Sequence, residues 1–184
     1  MNRNAPIRSK GLHHIALATR DPEATYDFYA KKLGMPLTHT EVHLQGDGSF
    51  RHFFFDLGDG SSLAFFEVRD IGEKPDYATA ISLAAGLPIW VNHVAFRLDT
   101  LDELAAMKDR LEQAGVRNLH EIDHGWSNSL YAVDPNGILV EFCVTTDAAA
   151  FEQDEAEALR LLRLPPAQFG AETRKEFVAA KGAE

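Results

Sequence analysis

Residues 11–17 read Gly-Leu-His-His-Ile-Ala-Leu, and residues 90–96 read Trp-Val-Asn-His-Val-Ala-Phe. Both stretches are short apolar runs in which a histidine precedes a β-branched residue and an alanine, a pattern typical of a strand. A run with helical periodicity follows each stretch and stops at Gly34 in the first case and at Gly115 in the second. Glycine is common just beyond a helix C-terminus. The chain therefore contains a repeat whose two copies each begin with a strand and a helix.

Start signals support both predicted helices. Asp21 is a plausible N-cap with Pro22 at the first helical position, and residues 100–103 have the spacing of a capping box. Strand-like segments separated by turn residues then follow each helix. These predicted strands are residues 37–44, 50–57 and 62–68 in the first copy, and 118–123, 129–133 and 138–144 in the second. The sequence thus predicts an α+β fold with the order βαβββ occurring twice.

The repeat sets the expected domain organisation. A first βαβββ module covers residues 10–68, a connector with a helical turn covers 69–88, and a second module covers 89–145. A C-terminal helical extension covers 146–184, and its acidic amphipathic helix is predicted at 151–163. The apolar stripe of that helix either seals a dimer or docks on its own domain.

Composition narrows the class of protein. The 184 residues carry a net charge of −10, which argues against a nucleic-acid partner because phosphate binding needs a basic surface. Cys143 is the single cysteine, so no internal disulfide can form, and a reducing compartment is expected. No apolar run approaches membrane-spanning length, and residues 1–6 lack the apolar stretch of a signal peptide. These features predict a soluble cytoplasmic protein without a membrane partner.

A glutamate in an apolar strand is the strongest chemical signal. Glu141 lies within residues 138–144, otherwise a buried-type strand, and a buried carboxylate is costly unless a partner such as a metal ion compensates it. His14 and His93 occupy equivalent positions in the two copies of the repeat. If the two first strands lie side by side, these three side chains converge, and two histidines with one carboxylate favour Fe(II), followed by Mn(II). A lone strand histidine is more often a core residue; its recurrence in both copies favours the ligand interpretation.

Over residues 10–145 the chain resembles the vicinal oxygen chelate superfamily, which includes glyoxalase I, extradiol ring-cleavage dioxygenases, epimerases and antibiotic-resistance binding proteins. The stretches at 13–17, 27–35 and 92–96 are typical of that superfamily. Residues 122–141 are similar to the extradiol dioxygenase signature, whose members here are His124, Leu130, Tyr131, Asp134, Pro135, Gly137 and Glu141. The resemblance implies a half-barrel built from the paired modules around one metal ion.

Site residues follow from this resemblance. It implies His14, His93 and Glu141 as metal ligands, with His13 as the competing residue in the first position. The expected metal is Fe(II), with Mn(II), Zn(II), Ni(II) and Co(II) as alternatives. The expected ligand is a small molecule with vicinal oxygens, and a homodimer is the expected assembly.

Two further residues receive catalytic roles from the resemblance. Tyr131 would hydrogen-bond a substrate oxygen held on the metal, since a phenol both donates and accepts. His124 would line the pocket as a donor or proton shuttle, a role for which an imidazole is suited. The alternatives are an ordinary strand aromatic for Tyr131 and a solvated loop histidine for His124.

The chain departs from its relatives at two positions in the first module. Extradiol enzymes similar to it have a catalytic histidine near the start of the last strand, where residues 60–65 contain none; His52 is on the neighbouring strand. Glyoxalase I takes a fourth ligand, a glutamate, at the position of Ala64 or Phe65, and Glu67 is near. The leading hypothesis is an Fe(II) extradiol-type dioxygenase acting on a small catecholic substrate. A glyoxalase-like lyase, an isomerase or epimerase, and a non-catalytic small-molecule-binding protein are the alternatives.

Overall fold

The computed structural model describes residues 9–73 and 76–169, and the predicted order βαβββ occurs twice in them. The strands are β1 (His14–Ala18), β2 (Leu37–Gln45), β3 (Gly48–Asp56), β4 (Ser62–Arg69), β5 (His93–Arg97), β6 (His120–Asp123), β7 (Ser127–Val133) and β8 (Leu139–Thr145). The helices are α1 (Pro22–Tyr26), α2 (Ile81–Ala84), α3 (Leu101–Gln113), α4 (Ala148–Phe151) and α5 (Glu155–Leu162), with a π-helical segment at Asp27–Lys32 and a 3₁₀ turn at Pro166–Gln168. The α+β fold class is confirmed.

The strands form two four-stranded mixed sheets of the same topology. Their strand orders are β1-β4-β3-β2 and β5-β8-β7-β6. Within each sheet, the strand that comes first in the sequence is parallel to the one that comes last, β1 to β4 and β5 to β8. The chain divides into two compact units, one with the described residues up to Asn92 plus Val133–Ile138, the other with His93–Ala132 plus the described residues from Leu139 onward. The module and connector boundaries, which follow the sequence repeat, stay predictions.

The core of the first unit lies between its sheet and the helix that follows β1. Phe53 and Phe55 on β3 and Phe65 on β4 are buried, and the rings of Phe55 and Phe65 contact the ring of Tyr29. Phe28 and Leu33 are buried beside Tyr29, whereas Tyr26 is only half-buried. Regular α-helical spacing would place Tyr26 on one buried stripe with Tyr29 and Leu33. The π-helical turn from Asp27 is wider and brings Phe28 to the core instead.

The second unit packs α3 on one face of its sheet. Thr100 and Glu103 form the predicted capping box at the start of this helix. Leu104 and Leu111 are the buried residues of α3, and Met107, which lies between them at helical spacing, is half-buried. On the sheet, alternate residues of β8 from Val140 to Val144 are buried. The opposite face of the same strands is therefore the one that carries His93 and Glu141.

The C-terminal extension contains helices, as predicted, but the helix expected at residues 151–163 is divided. The Asp154 side chain accepts a hydrogen bond from the Glu157 amide, so α5 begins after Asp154, and α4 ends at Phe151. Among the described residues, no helix combines the length and apolar character that crossing a membrane requires. The prediction made for residues 1–6, and the part of the predicted C-terminal extension after residue 169, lie outside the described residues.

Candidate metal centre

Glu141 is buried in β8, and the structure gives its carboxylate two polar partners. The residue is 6% exposed. The Ser129 hydroxyl donates a hydrogen bond to Oε1 at 2.5 Å, and Nε2 of His93 lies 3.0 Å from Oε2. Ser129 is on β7, whereas His93 is the first residue of β5. The expectation that this carboxylate needs compensation is met by a hydroxyl and an imidazole, and the imidazole is one of the predicted ligands.

Tyr131 and His124 are brought together beside this pair. The Tyr131 hydroxyl and His124 Nε2 are hydrogen-bonded at 2.9 Å. Burial and, after it, the negative charge of Glu141 raise the pKa of Tyr131 to about 12, while a hydrogen bond with Ser129 opposes the shift. Tyr131 is therefore a neutral phenol near pH 7. The ring of His124 is half-buried and hydrogen-bonded to a strand residue, which favours the pocket interpretation of this loop histidine.

His14 lies in the first unit at the position equivalent to His93. In β1 it is opposite Ser62 of β4, just as His93 in β5 is opposite Leu139 of β8. Nδ1 of His14 is 2.8 Å from Nδ1 of His13, which precedes the strand, so both candidates for the first ligand position are in contact. The shared register supports His14 over His13 as the counterpart of His93.

The same register identifies the residue at the fourth ligand position of a glyoxalase-type site. Ala95 is opposite Glu141, and its counterpart Ala16 is opposite Ala64. Ala64 thus occupies the place of Glu141 in the first unit, while Glu67 lies three residues further along β4. Glu67 is held by Arg69 at 2.7 Å and by Arg51 at 3.6 Å. The register gives no support to a fourth ligand from Glu67.

Of the predicted ligands, the structure brings His93 and Glu141 together, while His14 belongs to the other unit. No three His, Cys, Asp or Glu side chains form a group able to hold a metal ion within residues 9–73 and 76–169. The His93–Glu141 pair nevertheless fits a metal. Its N and O atoms are 3.0 Å apart, which is about the separation of adjacent ligand atoms that each lie ~2.1 Å from one ion. Imidazole and carboxylate are also the donors that divalent iron favours.

The face of the first sheet that carries His14 is rich in histidine, which the sequence analysis did not anticipate. His52 lies on this face, with its ring stacked on Phe66 at 3.7 Å and 6.1 Å from the ring of His14. Its Nε2 is buried without a hydrogen-bond partner among the described residues, and burial lowers its pKa. On β2, Glu41 is hydrogen-bonded to both His39 and His43. The period-two spacing of these residues along β2 and β3 is the sequence signal from which their shared face could have been predicted.

The Asp-Pro-Asn-Gly turn has a structural role in the first unit. Asp134 and Asn136 are buried. Oδ2 of Asp134 accepts hydrogen bonds from the Tyr29 hydroxyl at 2.9 Å and from Nδ2 of Asn136 at 3.0 Å, and Oδ1 accepts from the backbone amides of Asn136 and Ile138. Burial raises the pKa of Asp134 although these donors lower it. This part of the signature stabilises packing rather than contributing a catalytic group.

Comparison with known proteins agrees with the repeat and with the sheet topology. A family model described as the Glyoxalase/Bleomycin resistance protein/Dioxygenase superfamily matches residues 11–142. The chain belongs to this superfamily. Both sheets, and the strands that carry His14, His93 and Glu141, lie within or across the matched range, whereas α4 and α5 lie outside it. The resemblance seen in the sequence is confirmed.

Relatives within the superfamily have different activities. The Bacillus subtilis protein MhqA, provisionally named a ring-cleaving dioxygenase, is 29% identical over 113 residues, which are 60% of this chain but 32% of MhqA. The chain thus spans about a third of that relative. A lactoylglutathione lyase of Pseudomonas aeruginosa is 25% identical over 150 residues, 71% of this chain and 80% of the lyase. The crystal structure of a lactoylglutathione lyase from Agrobacterium tumefaciens has a TM-score of 0.51 at 22% identity, covering 74% of this chain and 94% of that one.

Proposed function

We propose that this protein is a metal-dependent dioxygenase of the extradiol type that opens the ring of a small catecholic substrate. The observation that carries this proposal is the close association, within one unit, of the His93–Glu141 pair with the hydrogen-bonded Tyr131–His124 pair. We call His93 and Glu141 the metal-binding edge of the site, and Tyr131 and His124 its proton-handling edge. The dioxygenase name of MhqA supports the reaction class.

His14, His93 and Glu141 would hold the metal, with Fe(II) as the first choice and Mn(II), Zn(II), Ni(II) or Co(II) as alternatives. The bound ion would supply Lewis-acid and redox chemistry to a diol and to dioxygen. Glu141 would contribute negative charge, which favours a divalent cation over a neutral ligand at this buried position. We expect a cytoplasmic homodimer as the working form, as is common among the proteins that the chain resembles.

The protein's own residues would position the substrate and move a proton. Tyr131, protonated at neutral pH, would donate a hydrogen bond to a substrate oxygen. His124 would exchange a proton with the Tyr131 hydroxyl, since its Nε2 is already hydrogen-bonded to that oxygen. Burial and, after it, the negative charge of Glu141 would keep the proton on Tyr131 until a substrate oxygen accepts it.

A lyase or isomerase acting on an enediolate is the second candidate. It is favoured by the alignment with the Pseudomonas lyase, which covers 80% of that enzyme. Ala64 at the position of a fourth ligand argues against it, because three protein ligands leave more positions for a bidentate substrate and dioxygen. A binding protein without catalysis is the third candidate, and a retained His93–Glu141 pair argues against that assignment.

Metal content followed by oxygen uptake tests these candidates. Protein purified without chelators or a histidine tag should contain a divalent metal, and anaerobic loading with Fe(II) should give catechol-dependent oxygen uptake. Metal binding without uptake on any catechol, together with turnover of a hemithioacetal, would overturn the dioxygenase proposal in favour of a lyase. Failure to bind any divalent metal would overturn the metal site itself.

Tyr131→Phe tests the proton-handling edge. We expect kcat to fall by about 10²-fold, because a positioned donor contributes on that order. The Kd for Fe(II) should stay within twofold, since Tyr131 is not a proposed ligand. Tyr26→Phe, which removes a hydroxyl from α1, is the matched control and should leave kcat unchanged. Steady-state oxygen uptake gives kcat, and equal rates for the two variants would contradict the role of Tyr131.

A further inference from the structure

Ser129 makes the shortest side-chain contact to the candidate ligand Glu141. It lies on β7 and is 1% exposed. Its hydroxyl donates to Oε1 of Glu141 at 2.5 Å, the distance of a charge-assisted O–H···O⁻ hydrogen bond. Such a bond fixes a carboxylate more firmly than a neutral pair would. Oε1 is therefore occupied within the protein before any ligand binds.

The two oxygens of Glu141 consequently have different surroundings. Oε1 faces Ser129, whereas Oε2 faces Nε2 of His93 at 3.0 Å. A carboxylate on a flexible side chain can rotate and present either oxygen, or both, to a cation. Here rotation would break the buried hydrogen bond between the Ser129 hydroxyl and Oε1, which carries a free-energy cost.

We propose that Ser129 is a positioning residue that holds Glu141 with Oε2 alone directed to the metal beside His93. The inference rests on the proposed ligand pair His93 and Glu141 and adds a residue that neither the signature nor the repeat predicts. Partners that hydrogen-bond a ligating carboxylate orient it and tune the affinity of the metal. Ser129 acts through Glu141 and touches neither metal nor substrate in this role.

The strand provides a matched control two residues away. Ser127 is on β7, is 0% exposed, and its Oγ has no hydrogen-bond partner among the described residues. Ser127→Ala and Ser129→Ala therefore each remove one buried hydroxyl group from the same strand. Only the second variant removes a contact with Glu141.

Cobalt binding to the full-length apo-protein tests the inference without measuring activity. Titration with Co(II), followed by calorimetry and by the visible absorption of the bound ion, should give a Kd about 10–100-fold weaker for Ser129→Ala than for the wild type. The absorption spectrum of the bound ion should also change, because the carboxylate is free to bind through both oxygens. Ser127→Ala should keep the wild-type Kd within twofold and the wild-type spectrum.

A second pair of variants keeps the test decisive if Ser129→Ala does not fold. Ser129→Thr and Ser129→Val have the same shape and differ by the hydroxyl, so the threonine variant should bind Co(II) at least tenfold more tightly. Equal affinities of the two variants, or of Ser129→Ala and Ser127→Ala, would overturn the role of Ser129 and leave the metal site standing. Absence of Co(II) binding by the wild type and Ser127→Ala would overturn the proposed ligands instead.

Discussion

Glu141→Gln is expected to abolish divalent-metal binding and oxygen uptake while leaving the apo-protein folded. The affinity for Fe(II) should fall by more than the about 10–100-fold that follows loss of an outer-shell partner. The free energy of unfolding of the apo-protein should stay within about 1 kcal/mol of the wild type or rise, because a buried carboxylate is costly to desolvate. Ser129 can still donate to the amide oxygen of the new side chain. Metal titration and urea denaturation of the same preparation measure both effects.

Glu67→Gln is the matched control, because Glu67 is as buried as Glu141, with 6% exposure for each residue. Glu67 is hydrogen-bonded to Arg69 through Nε and Nη2 and is close to Arg51. We expect this variant to keep the wild-type Kd for Fe(II) and to lose about 1–2 kcal/mol of stability. Two equally buried glutamates should therefore give opposite phenotypes. A Glu141→Gln protein that binds Fe(II) as the wild type does would refute the assignment of Glu141.

Asp134→Ala is expected to cause the largest loss of stability. The substitution leaves four donors without their acceptor: the hydroxyl of Tyr29, Nδ2 of Asn136, and two backbone amides. Each buried donor left unsatisfied costs about 1–3 kcal/mol, so the free energy of unfolding should fall by about 3 kcal/mol or more. Tyr29→Phe removes one donor and leaves the carboxylate in place, and should cost about 1–2 kcal/mol. Equal losses for the two variants would show that the hydrogen bonds of Asp134 are not the cause.

The pH dependence of this effect has a definite sign. Burial raises the pKa of Asp134 in the folded state above its ordinary value of 3.8. The folded protein therefore binds the proton more tightly than the unfolded chain does. The contribution of Asp134 to stability is greatest below pH 3.8 and is lost as the pH rises through the folded-state pKa. The difference in unfolding free energy between wild type and Asp134→Asn, measured from acid to neutral pH, should fall along that range.

The repeat was visible in the sequence because its signals are local. Strand period, capping residues and terminal glycines all lie within a few residues of one another, and they located the strand and helix order that the structure shows. Regular α-helical spacing gives the wrong buried stripe around Tyr26, because the chain forms a π-helical turn there. No residue type in the sequence signals that change of period. The predicted end of the C-terminal helix at residue 163 agrees with its observed C-cap, Arg163. The predicted start at residue 151 does not agree, because several acidic residues could cap the helix and Asp154 is the one that does.

The candidate site was only partly accessible to sequence reasoning. Glu141 was detectable because a charged residue interrupts an apolar strand. Its partner Ser129 was not, since a serine in a strand has no pattern that distinguishes a carboxylate-bound hydroxyl from an unbound one such as that of Ser127. The residue types at Asp134 and after it are those of an ordinary turn, so they gave no sign of a further role. The hydrogen bond from Tyr29 to Asp134 joins residues that are 105 positions apart in the chain. Packing alone reveals such a long-range contact.

The alanine opposite Ala16 has an evolutionary consequence. The two halves of the chain keep one strand register, yet one carries an acid where the other carries Ala64, whose side chain is 0% exposed and lies opposite Phe54. A glutamate at position 64 would need space that the neighbouring aromatic ring now takes, so it requires at least one compensating change. An acid is thus more easily lost than regained at this position, and packing tends to keep the two copies of the repeat different.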